Sequence, residues 1–152
     1  GLREEAINLL LKKETPSWLF EVKMGATTTW ERWDSILPNG EISGTDMNSL
    51  NHYAYGAVED FIIEKLVGIQ LPNVLDDTET YVIQPNFTNR LEWVKGALQT
   101  ANGELSVSWR YSGDEVLVDV ILPGRTIAKY VSSNGDEIYL KPGHNKMKDV
   151  IV

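Results

Sequence analysis

Hydrophobic residues recur every three or four positions through the first 70 residues of the chain, which is the spacing of one helix face. Over residues 2–13, Ala6, Leu9 and Leu10 fall on one stripe, and Ile7 widens it. This stretch therefore predicts an amphipathic helix with one apolar face.

Two further helices are predicted before residue 70. Pro16 suits the start of a short helix over residues 17–24, and Gly25 suits its end. A third helix is predicted over residues 49–67, because its apolar positions repeat at three and four. Gly68 stands where a C-cap glycine belongs.

After residue 70 the hydrophobic period changes to two. Leu105, Val107 and Trp109 alternate with polar residues, which is typical of a half-buried strand. The pairs Asn102-Gly103 and Asn134-Gly135 predict hairpins, because both central positions of a type I′ turn need positive φ. Strands are predicted at about 80–85, 91–99, 104–111, 115–122, 126–132 and 137–141.

The predicted fold class is α+β, with a helical segment over residues 1–70 followed by an antiparallel β-sandwich over residues 71–152. About 70 residues with three helices bury too little apolar surface to be stable alone. We therefore expect these helices to pack on further chain, on the sandwich or on a second copy. Self-association through exposed helices is one predicted outcome.

Aromatic residues concentrate around one acid in the helical segment. Three of the five tryptophans lie between positions 18 and 33, and Trp30 and Trp33 bracket Glu31. Flat rings stack on the C–H faces of sugars, and they thin the water around a carboxylate. The pattern suits a sugar-cleaving site, although a tryptophan cluster also suits a core.

Composition removes several other classes of function. The net charge of -8 argues against nucleic acid and against an anionic membrane as partners. The absence of cysteine excludes disulfides and thiolate metal sites, and it leaves the compartment open between the cytoplasm, the periplasm and the outside. We predict no cofactor and no metal, because two distant histidines do not make a zinc site.

Three sequence blocks, in order, resemble the C-terminal signature of bacterial α-L-rhamnosidases of glycoside hydrolase family 78. They are PSWLF at 16–20, GATTTWERWD at 25–34 and MNSLNHYAYGAV at 47–58, and IQP at 83–85 and LEWVKG at 91–96 extend the likeness. The resemblance runs from about residue 16 to the early 120s. It implies the last helices of an (α/α)6 catalytic barrel, followed by a β-sandwich.

The resemblance also implies roles for individual residues. Glu31 matches the general base of an inverting glycosidase that releases terminal α-L-rhamnose, and His52 matches a histidine that contacts the rhamnose ring. The family's general acid lies in an upstream acidic motif that nothing here matches, and the family's proteins are several times longer. We therefore expect a C-terminal fragment that is inactive by itself.

Neighbours of Glu31 are assigned from their chemistry. Arg32 is expected to keep the base charged, and Asp34 to hold Arg32 or cap a turn. Either Trp30 or Trp33 is expected to form a sugar-facing wall, because an extended backbone turns Trp30 and Glu31 to opposite sides. Glu41 is a weaker candidate for the base.

The remaining aromatic and histidine residues have structural interpretations. Trp18, Trp93 and Trp109 are most simply core residues, and His144 is predicted to lie in a turn. A tryptophan exposed on the sandwich would instead indicate carbohydrate binding. The alternative function is accordingly a non-catalytic carbohydrate-binding or structural sandwich module. For a rhamnosidase fragment, rhamnose-containing glycosides and the rest of the barrel are the expected partners.

Overall fold

The computed structural model describes residues 3–44, 46–73 and 79–150. The chain divides into two compact units, Gly1–Val58 and Glu59–Val152. The predicted boundary near residue 70 separates the helices that would belong to a larger barrel from the sandwich. This boundary stays a prediction. No helix in the described part of the chain is long and apolar enough to span a membrane.

The first unit contains two short helices and much irregular chain. Helix α1 covers Arg3–Leu11 and helix α2 covers Trp18–Lys23. Ser17 caps α2, because its hydroxyl accepts a hydrogen bond from the Phe20 amide at 3.1 Å. Ile7 of α1 and Phe20 of α2 are buried, whereas the other apolar residues of the stripe predicted for α1 are only partly buried.

The third predicted helix is shorter and less regular than expected. Residues 49–53 are not helical, and the helical stretch consists of a 3₁₀ turn Ala54–Ala57, helix α3 Val58–Phe61 and a π-helical turn Ile62–Val67. The prediction over 49–67 is therefore wrong for its first five residues, whose backbone pairs with another segment.

Gly68 ends the helical stretch as predicted. Its φ is +88°, and a Cβ at this position would lie 2.3 Å from the backbone nitrogen of Pro85. Its amide donates to Ile63 and its carbonyl accepts from Gln84. Only glycine combines this backbone conformation with such a close approach.

The second unit contains two four-stranded sheets. One has the order β1-β2-β6-β7 and the other the order β3-β4-β5-β8. The strands are β1 Ile69–Gln70, β2 Thr80–Ile83, β3 Trp93–Thr100, β4 Gly103–Ser112, β5 Glu115–Leu122, β6 Ile127–Val131, β7 Glu137–Tyr139 and β8 Gly143–Asp149. The predicted fold class is confirmed, and β2 with β6 forms a parallel pair within it.

The hairpins form where predicted, with different turn geometry. Strands β3 and β4 pair antiparallel, as do β6 and β7. Gly103 and Gly135 have positive φ, but among the described non-glycine residues only Arg125 does. Neither Asn102 nor Asn134 therefore adopts the conformation of a type I′ turn.

Strands β1 and β8, each at one edge of a sheet, were not predicted from sequence. Strand β1 is only two residues long, and β8 lacks an apolar alternation because its residues are largely lysine, histidine and asparagine. His144 lies in β8 and not in a turn, with its Nε2 2.7 Å from Oδ1 of Asp119. The prediction for His144 is therefore wrong.

The two sheets enclose one apolar core. Its members include Leu105, Val107 and Trp109 of β4, which is the strand that the alternation predicted most clearly. The indole Nε1 of Trp109 donates to the carbonyl of Leu66 at 2.7 Å. The core interpretation of Trp109 is confirmed, and its N–H satisfies a carbonyl at the end of the π-helical turn.

Trp93, in contrast, is 65% exposed, so its assignment to the core is wrong. The cause is the register of β3. A Cβ on Gly96 would lie 2.6 Å from Cγ2 of Val67, so this glycine faces inward against the helical turn. Because side chains alternate along a strand, Trp93 faces outward beside the exposed Arg110 of β4.

A buried carboxylate links strands of the two sheets. Asp149 of β8 accepts hydrogen bonds from the hydroxyl of Tyr130 in β6 and from the amide and hydroxyl of Ser133. Burial opposes the charged form, but these donors outweigh it and hold the pKa of Asp149 below its usual value. Burial and the bond to Asp149 raise the pKa of Tyr130.

The Asp149 network predicts a pH-dependent contribution to stability. In the 152-residue chain, Asp149→Asn should lower the free energy of unfolding by about 2 kcal/mol near neutral pH, because bonds to a charged acceptor are lost. The lowered pKa makes this contribution complete above about pH 4–5, and it is lost as pH falls through the folded-state pKa.

Urea unfolding between neutral and acid pH measures the difference. Tyr130→Phe is the matched control, because it removes one donor and leaves the carboxylate with its Ser133 bonds. A difference between wild type and Asp149→Asn that stays constant down to pH 2 would contradict the assignment.

Candidate functional site

The candidate site is built on two chain segments that pair through hydrogen bonds. The Glu31 amide donates to the Ser49 carbonyl at 2.9 Å, and the His52 amide donates to the Thr29 carbonyl at 2.9 Å. Threonine hydroxyls add two bonds, from Thr28 to Leu50 and from Thr29 to His52, each 2.6 Å long. The pairing brings Glu31 and His52, 21 residues apart in sequence, onto neighbouring segments.

The Glu31 carboxylate is held by the segment on which His52 lies. Its Oε2 accepts a hydrogen bond from the Ser49 amide at 2.7 Å, and the side chain is half-buried. Its other oxygen, Oε1, has no hydrogen-bond partner within the described part of the chain. One oxygen therefore orients the group, and the other remains available to accept a proton.

The tautomer of the neutral His52 ring is fixed by a backbone amide two residues further along the chain. Nδ1 accepts a hydrogen bond from the Ala54 amide at 3.2 Å, so the neutral ring carries its proton on Nε2. The ring is half-buried and stacks on Tyr53, with 5.3 Å between ring centroids and 8° between planes. This arrangement leaves Nε2–H as a donor for a ligand hydroxyl.

Trp33 belongs to an aromatic cluster beside these segments. Its ring stacks on Tyr55 at 4.0 Å and meets the edge of Trp18 at 4.9 Å. Trp18 is partly buried, and its Nε1 donates to the carbonyl of Tyr55 at 3.0 Å. The cluster gives Trp33 a fixed orientation, and it makes Tyr55 a member of the site that sequence reasoning missed.

Trp30 is a core residue of the first unit. It is 2% exposed, and its amide donates to Oε2 of the buried Glu21 at 3.3 Å. Additional chain could only cover Trp30 further, so its ring does not suit a sugar-facing wall. The structure therefore favours Trp33 of the two tryptophans that were considered. The backbone of residues 27–31 is not helical, in agreement with the expectation for Trp30 and Glu31.

Within the described residues, Arg32 contacts the carboxylate of neither Glu31 nor Asp34. Nη2 of Arg32 donates to the carbonyl of Met47 at 2.6 Å. Asp34 is exposed and lies 3.5 Å from the Ser43 hydroxyl. Arg32 therefore supports the segment around Met47 and does not touch the base. Glu41 is exposed and bonds to Asn39.

A second connection between segments comes from Ser35 and Asn48. The fully buried Ser35 donates to Oδ1 of Asn48 at 2.6 Å. Nδ2 of Asn48 donates back to the carbonyls of Ser35 and Ser43. Sequence patterns did not single out these residues, because neither carries an apolar or charged signal. Their bonds fix the chain immediately before Ser49.

Within the described residues, no group of three or more histidine, aspartate or glutamate side chains is placed to hold a metal ion.

Two domain families match consecutive segments of this chain. Residues 1–66 match the bacterial alpha-L-rhamnosidase 6 hairpin glycosidase domain, and residues 79–145 match the bacterial alpha-L-rhamnosidase C-terminal domain. The chain belongs to the bacterial α-L-rhamnosidase family. The resemblance seen in the sequence blocks is therefore confirmed.

Curated and solved relatives agree with this membership. The chain is 36% identical over 133 residues to an alpha-L-rhamnosidase of Alteromonas sp. (strain LOR), covering 86% of this chain and 14% of the relative. The native α-L-rhamnosidase of Aspergillus terreus matches with a TM-score of 0.81 and 31% identity, over 92% of this chain and 16% of that one.

A further solved relative is the Streptomyces avermitilis alpha-L-rhamnosidase complexed with L-rhamnose. It matches with a TM-score of 0.73 and 26% identity, over 93% of this chain and 15% of that one. The chain thus spans a small part of each α-L-rhamnosidase. The roles of Glu31, His52 and their neighbours stay predictions at this point.

The burial of Trp30 generates a prediction about stability. Trp30→Ala should destabilise the first unit by about 3–5 kcal/mol, because it leaves a large cavity in a small core. Met47→Ala is the control, since its side chain is 81% exposed and its removal should cost under about 0.5 kcal/mol. Hydrogen exchange of the amides in α2 of the 152-residue chain measures both effects. Equal protection in the two variants would show that Trp30 is not a core residue.

Proposed function

We propose that this chain supplies the base-bearing part of the active site of an inverting α-L-rhamnosidase. The observation that carries the proposal is the pairing of residues 28–31 with 49–52, since it joins the segment of Glu31, whose carboxylate accepts the Ser49 amide, to the segment of His52, whose Nδ1 accepts the Ala54 amide. Family membership supports the sugar, since curated relatives are alpha-L-rhamnosidases and one solved relative is complexed with L-rhamnose.

Glu31 is the proposed general base. The Ser49 amide holds Oε2, and Oε1 is left to accept a proton from one water molecule. As that water attacks the anomeric carbon, the carboxylate takes its proton and the glycosidic bond breaks on the opposite face. The attack from the far side inverts the configuration of the released sugar.

His52 is the proposed substrate-binding residue. Because the Ala54 amide occupies Nδ1, the Nε2–H group can donate to a sugar hydroxyl. Trp33, fixed between Trp18 and Tyr55, is the proposed aromatic wall, and Arg32 and Asp34 play supporting parts in the surrounding chain. Trp30 is left out of the substrate contacts, because its ring is buried.

The second half of the mechanism must come from outside these residues. Inverting glycosidases place their acid and base about 6.5–9.5 Å apart, on opposite sides of the scissile bond. The chain covers 14% of its Alteromonas relative, which leaves most of a catalytic barrel to supply the acid. The proposed partners are therefore rhamnose-containing glycosides and the remainder of the barrel, with self-association of the exposed helices when the barrel is absent.

One observation favours the alternative function of a carbohydrate-binding module. Trp93 is 65% exposed on the outer face of the sandwich, beside the exposed Arg110. A single ring offers little stacking area, whereas the oriented acid and histidine lie in the first unit. The enzyme proposal therefore explains more of the site.

The role of Glu31 predicts a large kinetic effect in the full-length parent. Glu31→Gln should lower kcat about 10²- to 10⁴-fold, because the amide keeps the shape but accepts no proton. KM should change little, and the acidic limb of the pH–rate profile should disappear. Asp34→Asn is the matched control, and we expect a much smaller loss from it.

A chemical rescue sharpens the same experiment. Azide needs no base, so it should form a C1–N bond as the glycosidic C–O bond breaks and the acid protonates the aglycone. The expected product is a β-rhamnosyl azide, formed faster than the hydrolysis product in Glu31→Gln. Near-normal turnover with an unchanged acidic limb would show that Glu31 is not the base, and Asp34 or Glu41 would then be examined.

The missing acid predicts that the 152-residue chain alone does not hydrolyse an aryl α-L-rhamnoside above the buffer rate, since positioning of the substrate is also lost. Titration calorimetry with rhamnose-containing glycans on the same chain separates the two functions. A binding module would show glycan binding that Trp93→Ala abolishes. Turnover by this chain would contradict the proposed division of the active site.

A further inference from the structure

Glu21 is a buried carboxyl group that the proposed mechanism does not use. It lies in α2 and is 3% exposed, although glutamate is almost never fully buried without a partner. Its Oε2 accepts the Trp30 amide at 3.3 Å. Its Oε1 is buried as well and has no hydrogen-bond partner in the part of the chain that the structure describes. A buried polar group in this state calls for a physical reason.

The reason lies in the loop that Glu21 closes. The main-chain carbonyl of Glu21 accepts the Ala26 amide at 3.0 Å, and its side chain accepts the Trp30 amide. One residue of α2 therefore holds both ends of the loop over residues 26–30. This loop leads directly into Glu31.

The next amide along the chain is anchored on the other side. Whereas the Trp30 amide donates to Glu21, the Glu31 amide donates to the carbonyl of Ser49. Two consecutive amides are thus bound to two different parts of the first unit. Loss of either anchor frees the peptide unit that carries Glu31 to rotate.

We propose that Glu21 is a positioning residue for Glu31, because its carboxyl oxygen fixes the Trp30 amide and with it the direction of the Glu31 side chain. This inference rests on the proposed function of Glu31 as the base. Nothing in the arrangement requires Glu21 to touch the sugar. Its contribution is a buried hydrogen-bond acceptor for the Trp30 amide.

An uncharged acceptor suffices for this role. Burial raises the pKa of Glu21, and the hydrogen bond from the Trp30 amide offsets this only in part. Stability that depends on the neutral carboxyl is complete at low pH and is lost as pH rises through the raised pKa. Glutamine keeps the acceptor and removes that loss, so it should replace Glu21 with little effect on catalysis.

The test compares four variants in the full-length parent. Glu21→Met has similar length without an acceptor, and its kcat should fall about 10- to 100-fold, as small misplacements of catalytic groups do. Glu21→Gln should stay within about threefold of wild type, and KM should change by less than about threefold in both. Phe20→Leu is the control for weakened packing of α2, and Glu31→Gln reports the base itself.

Azide provides a readout that a general loss of structure does not move. If Glu21→Met only misdirects the base, azide should restore much of its turnover as β-rhamnosyl azide, as it should in Glu31→Gln. Phe20→Leu should show no such response. Thermal unfolding of each variant identifies any that fail to fold, and Glu21→Gln still tests the need for an acceptor.

Each outcome decides one of the two proposals. Glu21→Met with kcat within about twofold of wild type would overturn the positioning role, as would a loss that azide does not restore while it restores Glu31→Gln. A loss in Glu21→Gln as large as that in Glu21→Met would show that the charge, and not the acceptor, matters. Near-normal turnover in Glu31→Gln would instead reject the proposed base, whatever the Glu21 variants do.

Discussion

The backbone pairing of residues 28–31 with 49–52 is the interaction on which the candidate site depends. It satisfies amides and carbonyls that would otherwise be unpaired in irregular chain, and the Glu31 carboxylate takes part in it through the Ser49 amide. The same pairing keeps residues 49–53 out of the helix that was predicted over residues 49–67. Backbone hydrogen bonds between two segments therefore replace the first turns of the predicted helix, and they bring Glu31 and His52 to adjacent segments.

The pairing leaves the Trp30 amide, which precedes Glu31, without a partner on residues 49–52. Glu21 binds this amide instead. A carboxyl oxygen buried in α2 binds the amide of Trp30, while Trp30 itself fills the core. The base would thus be held through the carboxyl group of Glu21 and through the carbonyl and the amide of Ser49. All three groups belong to the first unit, Gly1–Val58. Such a rigid support suits a group whose effect on rate depends on sub-ångström placement.

The second unit has its own internal constraints. Gly68 turns the chain out of the π-helical turn where a Cβ would collide with Pro85, and Trp109 binds the Leu66 carbonyl at the end of that turn. Gly96 packs against Val67 and thereby sets which face of β3 points inward. These contacts place Trp93 on the surface. The exposure of Trp93, which favours the alternative function, therefore follows from the packing of Gly96.

The sequence by itself determined the α+β order, the central strands, the C-cap at Gly68 and the core position of Trp109, because each depends on local periodicity or on one backbone conformation. The motif blocks also determined the family and pointed to Glu31 and His52. Only the tertiary structure decided the start of the third helical stretch at Ala54, the outward face of Trp93, the β8 position of His144 and the partners of Arg32 and Glu21. Each of these depends on a hydrogen bond or a close approach between residues far apart in the chain, which no local spacing encodes.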